Sequence, residues 1–496
     1  MKADAQGYCA AANTVVIRAL NKAESMRYVS TRGEAPSLDF VDVMLAGLAS
    51  DGGLYVPEHW PTLDRVTIES LAGKPYAEAA VEVIRPFVGD GIAEADLARM
   101  AREAYGNFRH PAVAPLTQLS PNLFVLELFH GPTLAFKDLA MQLVARLMDH
   151  VLHQRGERTT VVVATSGDTG GAAVEAFRGR AQTDVVVLFP QGRISEVQRR
   201  MMTTVPDANV HALAIEGTFD DCQALVKAMF NHHAFRKRVR LSGVNSINWA
   251  RIVVQTIYYF TAAVVLGAPH RKIAFTVPTG NFGDVYAGYV ASRMGLPIDR
   301  LVVATNVNDI LVRTFATGAY EIRDVVATTS PSMDIQVSSN FERLLFDAYG
   351  RDASALRALM GSLAQSRRFA VSAHALKELR ALFTADRADE EESAAEIRAW
   401  TREANYCVDP HTAIALAVAE KETRDPSVPM VVLSTAHPAK FPDAVKAACG
   451  IVPALPDRLA DLTKRKERVT VLPVDQAAVE RYVTSISRAA REGAAA

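Results

Sequence analysis

The feature that most constrains the fold is a series of short valine-rich runs, each followed by a longer amphipathic stretch. The runs are NLFVLELF (122–129), TTVVVAT (159–165), DVVVLFP (184–190), RKIAFTVP (271–278), RLVVATN (300–306) and PMVVLST (429–435). Short β-branched runs without polar alternation are typical of strands that are buried on both faces. Because the stretches between them have helical apolar spacing, the sequence predicts an α/β fold of open, mostly parallel sheets with helices on both faces.

Changes in pattern divide the 496 residues into further segments. We expect an N-terminal extension, a helical N-terminal domain, α/β lobes built from two separate stretches, a helical insertion between those stretches, and a C-terminal segment. The extension is 1–25 and the N-terminal domain 26–110. The α/β lobes are 111–339 and 427–450, with the helical insertion 340–426 between them, and the C-terminal segment is 451–496. The insertion shows no convincing strand pattern. The extension is either disordered or forms a helix from Thr14 to Ala23.

Charge, cysteines and hydropathy argue against several classes of protein. The chain has 54 basic and 55 acidic residues, so it lacks the basic excess of a nucleic-acid-binding protein. Its four cysteines form no CxxC pair, and its histidines form no HExxH motif. The most apolar stretch, 257–268, is shorter than the roughly 20 residues of a transmembrane helix. We therefore expect a cytoplasmic protein with free thiols, no metal site and no membrane anchor.

Four polar turns follow predicted strands or precede predicted helices, at the sheet edge where α/β folds bind ligands. They are HGPTLAFKD (130–138), TSGDTGG (165–171), PTGNFGD (278–284) and STAHPAKF (434–441). In the third turn, Gly280 and Gly283 let a ligand approach the backbone, and the N–H groups that begin the next helix attract an anion. An ordinary strand-to-helix turn has the same spacing.

The other three turns offer reactive or polar side chains. Ser166 and Thr169 have hydroxyls that fit a carboxylate, although a helix cap fits equally well. Lys137 lies among apolar residues, where desolvation eases its deprotonation and Schiff-base formation, although a lone lysine is usually a solvated surface residue. Thr435 brings a hydroxyl to the ligand edge of the sheet, or else caps a helix.

Together the four turns resemble those of the threonine synthases, which are pyridoxal-phosphate enzymes of the tryptophan-synthase-β fold family (fold type II). The resemblance extends over nearly all of residues 26–450. It includes the further motifs YVSTRG (28–33), LASDGGLYVP (48–57), NSINWARIVVQ (245–255) and SSNFERLLF (338–346).

The resemblance implies that Lys137 is the catalytic residue and carries pyridoxal 5'-phosphate covalently. It also implies a cradle for the cofactor phosphate, a threonine facing the pyridine nitrogen and a loop near the substrate carboxylate. The phosphate cradle is formed by Gly280, Asn281, Phe282, Gly283 and Asp284. The threonine is Thr435. The loop near the carboxylate is formed by Ser166, Gly167, Asp168, Thr169 and Gly170. Much of the fold family has Asn in place of Asp168, facing the cofactor's phenolic oxygen. A carboxylate there would repel a phenolate, so we expect Asp168 to be protonated or turned away.

The implied reaction eliminates phosphate from O-phospho-L-homoserine and adds water to give L-threonine, in a monomer or homodimer. The substrate phosphate needs a second anion site, for which a structural ion pair is the alternative at every candidate. The candidates are Asn248, Arg251, Asn340, Arg343 and Lys440, with Arg251 and Lys440 ranked first. The alternative functions are a dehydratase or sulfhydrylase of the same fold, or a binding protein that has lost catalysis. The presence of Lys137 argues against the last.

Overall fold

The computed structural model describes residues 26–423 and 425–495. Residues 1–25 lie outside that range, so both expectations for the N-terminal extension stay predictions. The strands are β1 (Tyr28–Ser30), β2 (Tyr55–Pro57), β3 (Leu116–Ser120), β4 (Leu123–Glu127), β5 (Thr159–Ala164), β6 (Thr183–Pro190), β7 (Val210–Ile215), β8 (Leu241–Ser242), β9 (Ile273–Pro278), β10 (Ile298–Thr305), β11 (Ala319–Glu321), β12 (Arg368–Ala370), β13 (Phe383–Arg387), β14 (Met430–Ser434) and β15 (Thr470–Leu472).

The helices lie between and around these strands. They are α1 (Phe40–Ala46), α2 (Arg65–Ser70), α3 (Tyr76–Val88), α4 (Glu94–Tyr105), α5 (Lys137–Arg155), α6 (Asp168–Phe177), α7 (Glu196–Thr203), α8 (Phe219–Asn231), α9 (His233–Arg238), α10 (Trp249–Val265), α11 (Gly283–Arg293), α12 (Ile310–Thr317), α13 (Phe341–Ala348), α14 (Ala353–Ser366), α15 (Ala373–Leu382), α16 (Glu390–Glu403), α17 (Pro410–Lys421), α18 (Pro442–Cys449), α19 (Gln476–Ile486) and α20 (Arg488–Ala495). None of the helices described is long and apolar enough to cross a bilayer.

Two sheets form the centre of the fold. The first has the order β13-β10-β9-β14-β4-β3 and is parallel except for β3, which runs antiparallel to β4. The second has the order β15-β7-β6-β5-β8 and is parallel throughout. Each of the six valine-rich runs forms a strand in one of these sheets, which confirms the predicted α/β class.

Burial on both faces explains why these strands lack polar alternation. In β9, Phe275 and Val277 belong to a core that includes α10 and α11, whereas Ala274 packs with α17 on the opposite face. In β5, Val161 and Val162 divide in the same way between the α6 side and the α8 side. Helices therefore cover both faces, and polar residues collect at the strand ends.

The expectation that residues 340–426 contain no strand is wrong. Strand β13 pairs parallel with β10 at the edge of the first sheet, and β12 pairs antiparallel with β11. The sequence of β13, FTADR, is mostly half-buried, because an edge strand has one neighbour and keeps polar side chains at the surface. Such a strand lacks the valine-rich signal of its buried neighbours.

Strand β13 contributes to the core through Phe383, whose ring lies 5.7 Å from that of Phe282 and 5.9 Å from that of Phe315. We predict that Phe383→Ala lowers the free energy of unfolding by about 3–5 kcal/mol, because it leaves a cavity in a packed aromatic cluster. Urea denaturation measures the change. The control is Val66→Ala on α2, where the side chain is 74% exposed. Equal stability of the two variants would contradict the prediction.

Candidate active site

The four polar turns meet at the carboxyl ends of β4, β5, β9 and β14. Backbone hydrogen bonds join the first turn to the fourth: Phe136 N donates to Thr435 O (2.8 Å), and His437 N donates to Leu134 O (3.0 Å). An ion pair of 3.4 Å then links Lys137 Nζ, on the first turn, to the second turn. Three of the turns therefore converge on one place, and the third turn is near enough for the charge of Lys137 to lower the pKa of the Asp284 carboxyl, which burial raises.

Lys137 is the first residue of α5 and is buried, with Nζ 4.6 Å from the centre of the Phe136 ring. Burial lowers the pKa of its ammonium group. The Asp168 carboxylate acts in the opposite direction, and the positive charges of Lys440 and Arg251 lower the pKa further. The net effect lowers the pKa, which makes the neutral, nucleophilic amine easier to form.

Asp168 begins α6 and faces Lys137. The two alternatives that the sequence suggested concern the phenolic oxygen of a bound cofactor and stay predictions. The Oδ1 atom of Asp168 lies 2.7 Å from Lys440 Nζ and accepts a hydrogen bond from Gln198 Nε2 at 3.0 Å, while Oδ2 accepts from Lys137 Nζ. Burial alone raises the pKa of the Asp168 carboxyl, but the two ammonium groups and the hydrogen bonds outweigh it and hold the pKa well below its usual range. The carboxylate is therefore ionised.

Lys440, which lies in the short 3₁₀ turn Pro438–Lys440, is 1% exposed. Besides its ion pair with Asp168, its Nζ donates to the carbonyl of Thr133 at 2.8 Å. Two of its three N–H donors thus bind described residues, and no hydrogen bond to a described residue uses the third.

The loop around Asp168 leaves its hydroxyls available. Thr165 Oγ1 accepts from the N–H groups of Gly167 and Gly170, both at 2.9 Å, and so provides the local cap. Within the described chain, the hydroxyls of Ser166 and Thr169 make no hydrogen bond. Gly167 has φ of 135°, and a Cβ there would overlap the Gln198 side chain, so only glycine lets Gln198 reach Asp168.

The turn at Gly280 and Asn281 is held from outside by residues 328–340, which we call the bracing loop. Ser338 Oγ donates to Gly280 O at 2.7 Å, and Asn340 donates to Asn281 O through both N and Nδ2 at 3.0 Å. A Cβ on Gly280 would overlap the carbonyl oxygen of Ser332. Glycine is therefore required for the loop and the turn to touch.

Helix α11 begins directly after this turn, at Gly283. Phe282 adopts a left-handed conformation (φ 62°) and buries its ring. As at the start of any α-helix, the first N–H groups of α11 have no helical partners. The Asp284 carboxylate accepts through Oδ1 from Tyr258 Oη at 2.6 Å and Tyr259 Oη at 3.1 Å, while its Oδ2 has no hydrogen-bond partner among the described residues. Burial raises its pKa to about 6. An anion at this turn would bind backbone N–H groups, to which Asp284 contributes its main chain.

Arg251, in the first turn of α10, is buried and has few partners. Its Nη1 donates to Val244 O at 3.2 Å, and its Nε has no hydrogen-bond partner among the described residues. Burial lowers the pKa of the guanidinium to about 10, so the group stays charged at neutral pH. A buried guanidinium with unbonded N–H groups destabilises the fold unless an anion accepts their hydrogen bonds and balances the charge.

Asn248 does not fit the role of substrate ligand that the sequence suggested. Its Oδ1 accepts from Ala250 N at 3.0 Å, which caps α10. Its Nδ2 donates to Met44 O and Gly243 O, both at 2.9 Å, so it holds α1 against the start of α10. This side chain is a structural cap.

Arg343 and Asn340 are structural for a similar reason. The Arg343 guanidinium donates to Tyr55 O at 3.0 Å, to Ile247 O at 2.6 Å and to Asn340 Oδ1. These bonds join α13 to β2 and to the segment before α10. Each of the three guanidinium nitrogens of Arg343 therefore already donates to a protein acceptor.

Thr435 lies directly after β14 and is buried. Its carbonyl binds Phe136, and its hydroxyl makes no hydrogen bond to any described residue. Several residues around the site carry no sequence signal, because they lie on helices away from the four turns and only packing brings them close. These are Gln198, Tyr258 and Tyr259. The described residues contain no cluster of three or more side chains suited to a metal ion.

The Asp168–Lys440 pair leads to a pH-dependent prediction for Lys440→Met. Without this cation the folded-state pKa of Asp168 rises, and we expect a loss of about 3 kcal/mol in unfolding free energy near neutral pH. In the parent protein the depressed pKa stabilises the fold above the usual carboxyl range, and this contribution fades as the pH falls. The difference between variant and parent therefore stays constant near neutral pH and narrows only as the pH falls below the pKa that Asp168 has in the folded variant.

Urea unfolding of parent and variant over a pH series measures this difference. Lys446→Met is the matched control, because Lys446 is an exposed lysine on the neighbouring helix α18. A difference that stays constant with pH would show that Lys440 stabilises the fold through packing alone.

Three family models together match most of the chain. "Threonine synthase N terminus" matches residues 27–105, "Pyridoxal-phosphate dependent enzyme" matches 108–390, and "Threonine synthase, C-terminal" matches 412–483. The threonine synthase of Pseudomonas aeruginosa is 54% identical over 460 residues, which cover 92% of this chain and 98% of that protein.

Solved structures agree with the sequence relatives. A threonine synthase from Brucella melitensis with bound pyridoxal phosphate is 61% identical, with a TM-score of 0.91 over 94% of this chain and 100% of that one. The yeast threonine synthase is 38% identical, with a TM-score of 0.87 over 93% of this chain and 99% of that one. The chain belongs to the threonine synthase family of pyridoxal-phosphate-dependent enzymes.

Proposed function

We propose that this protein converts O-phospho-L-homoserine and water to L-threonine and inorganic phosphate. The observation that carries this proposal is the buried charge cluster at the meeting point of the four turns. It combines a lysine of lowered pKa, Lys137, with an incompletely bonded buried cation, Arg251. The lysine suits covalent binding of an aldehyde cofactor, and the arginine suits a substrate that carries its own phosphate.

The residues present fit pyridoxal phosphate. Lys137 offers the amine, and the first N–H groups of α11 offer a phosphate site at a turn where Gly280 has no room for a side chain. Thr435 offers a hydroxyl to the pyridine nitrogen. When bound, the cofactor withdraws electrons from the substrate's α-carbon. A hydroxyl beside the ring nitrogen, in place of a carboxylate, leaves that nitrogen neutral.

Lys137 has two tasks in this proposal. It would hold the cofactor, and its amine, when free, would move the proton at the substrate's α-carbon. Both tasks need a neutral amine in part of the cycle, which the lowered pKa favours. Asp168, at 3.4 Å, keeps the amine oriented, and Gln198 and Lys440 keep Asp168 in place.

The substrate's two anionic groups have separate sites in this proposal. The hydroxyls of Ser166 and Thr169, with the backbone from Gly167 to Gly170, bind the carboxylate at the start of α6. Arg251 binds the phosphate, with the remaining N–H of Lys440 as a second donor. A dehydratase or sulfhydrylase of the same fold has no use for that second cation. The cytoplasmic location and the monomeric or dimeric state expected from the sequence stay predictions.

We predict that Lys137→Ala folds but no longer retains the cofactor after borohydride reduction, because the alanine has no amine to attach it. Mass spectrometry of the reduced protein measures the attachment, and circular dichroism checks the fold. Lys446→Ala, which changes an exposed lysine, keeps the adduct. If the reduced Lys137→Ala protein still carried the added mass of the cofactor, another lysine would be the point of attachment.

We predict that Arg251→Met lowers kcat/KM for O-phosphohomoserine by about tenfold to a hundredfold, the value of one charge-assisted hydrogen bond. Any residual dehydration of serine, which has no phosphate, is unaffected. Release of phosphate and formation of threonine are measured together, and they also test the proposed reaction itself.

Arg343→Met is the matched control, because it removes a buried arginine whose donors already bind the protein. It lowers stability and leaves the preference for the phosphorylated substrate unchanged. If Arg251→Met reduced both reactions equally, Arg251 would support the fold or the cofactor, and the substrate phosphate would bind elsewhere.

A further inference from the structure

The buried carboxylate of Asp409, at the start of α17, is linked through hydrogen-bonded side chains to two of the four turns. Asp409 caps α17 and is 0% exposed. Its Oδ2 lies 2.7 Å from His411 Nδ1, and its Oδ1 accepts from Thr412 through both the backbone N–H and the hydroxyl. One carboxylate therefore holds two side chains that extend in different directions.

The His411 branch leads to the turn at Gly280. His411 Nε2 accepts a hydrogen bond from Ser332 N at 3.3 Å, so the ring proton is on Nδ1 and is donated to Asp409. The carbonyl oxygen of Ser332 lies against Gly280, where a Cβ would overlap it. Movement of His411 would therefore be passed to the turn through the bracing loop.

The bracing loop has a second attachment, at the end of β10. Asp334 Oδ1 accepts from Asn306 Nδ2 at 2.7 Å, Thr328 Oγ1 at 2.7 Å and Asn308 Nδ2 at 3.1 Å. The loop is thus fixed to the sheet on one side and to His411 on the other. Its contact with Gly280 lies between these two attachments.

The Thr412 branch leads to the turn at Thr435. Thr412 Oγ1 and Ser434 Oγ are hydrogen-bonded at 3.0 Å, and Ser434 O accepts from Leu128 N at 3.0 Å. Ser434 is the residue immediately before Thr435. The Asp409 carboxylate is therefore linked to both turns that face opposite ends of a bound cofactor in the proposed site.

We infer that Asp409 and His411 are positioning residues that set the Gly280 turn at the distance from Thr435 that the cofactor's phosphate requires. The cofactor has a fixed length between its ring nitrogen and its phosphate, so the two turns must be held at a matching separation. The inference rests on the proposed assignment of the Gly280 turn to the phosphate. It adds two residues that touch neither cofactor nor substrate.

The test compares two ligands of the full-length chain after removal of its cofactor: pyridoxal phosphate, and pyridoxal, which lacks the phosphate. We expect His411→Leu to weaken the binding of pyridoxal phosphate about tenfold, the value of roughly one hydrogen bond, and to change the binding of pyridoxal little. Absorbance titration measures both dissociation constants. A role in stability alone would change the two constants together.

Conservative variants separate the hydrogen bond from the packing. His411→Gln keeps an acceptor near the position of Nε2 and is expected to preserve the preference for pyridoxal phosphate. His411→Asn reaches Asp409 but not Ser332, and is expected to lose the preference. This pair decides the question even if His411→Leu does not fold.

Thr412→Val is the matched control on the other branch. It removes the hydroxyl that bonds to Ser434 and to Asp409, keeps the backbone N–H bond to Asp409 and leaves the contact between His411 and Ser332, so the binding of both ligands weakens together. Equal weakening of both ligands in His411→Leu and His411→Asn, or no weakening in either variant, would overturn the inference.

Gly280→Ala tests the underlying phosphate assignment, with Gly361→Ala, which has open space around it, as its control. If Gly280→Ala lost the preference for pyridoxal phosphate over pyridoxal while the His411 variants kept it, the turn would bind the phosphate without help from His411. If Gly280→Ala also kept the preference, the phosphate would bind elsewhere, and the inference would fall with the assignment.

Discussion

The buried carboxylate of Asp168 requires that three separate turns reach the same point. It has two ammonium partners, Lys137 and Lys440, and a hydrogen bond from Gln198. A buried charge without such partners destabilises a fold by several kcal/mol, so the arrangement is favourable only when all of them arrive together. The same charges influence the pKa of Lys137, on which the proposed chemistry depends. Stability and reactivity are thus coupled at one side chain.

Parallel sheets buried on both faces make that convergence possible. Because helices cover each face, the strand ends are where polar side chains collect, and parallel strands deliver their ends to one edge. The bracing loop and α17 then support these ends from outside, through backbone carbonyls and buried polar side chains. The site is formed by connections between strands, while the strands themselves supply the rigid core.

Identical residue types have different roles here, and only their hydrogen bonds distinguish them. Arg251 and Arg343 are both buried arginines in recognisable motifs, yet Arg343 donates to three protein acceptors and Arg251 to one. Asn248 likewise lies in a family motif and serves as a helix cap. A motif identifies the chemistry a residue type offers, but the number of donors already satisfied decides whether a ligand can use it.

The sequence by itself determined the α/β class, the six buried strands, the four turns and Lys137, because local apolar patterns and contiguous motifs carry that information. It did not reveal β13, whose edge position removes the valine-rich signal, nor the ionised state of Asp168. The tertiary structure alone decided which basic residues keep free donors and how Asp409 links two turns. These properties depend on groups far apart in the chain, whose pairing and burial exist only once the chain has folded.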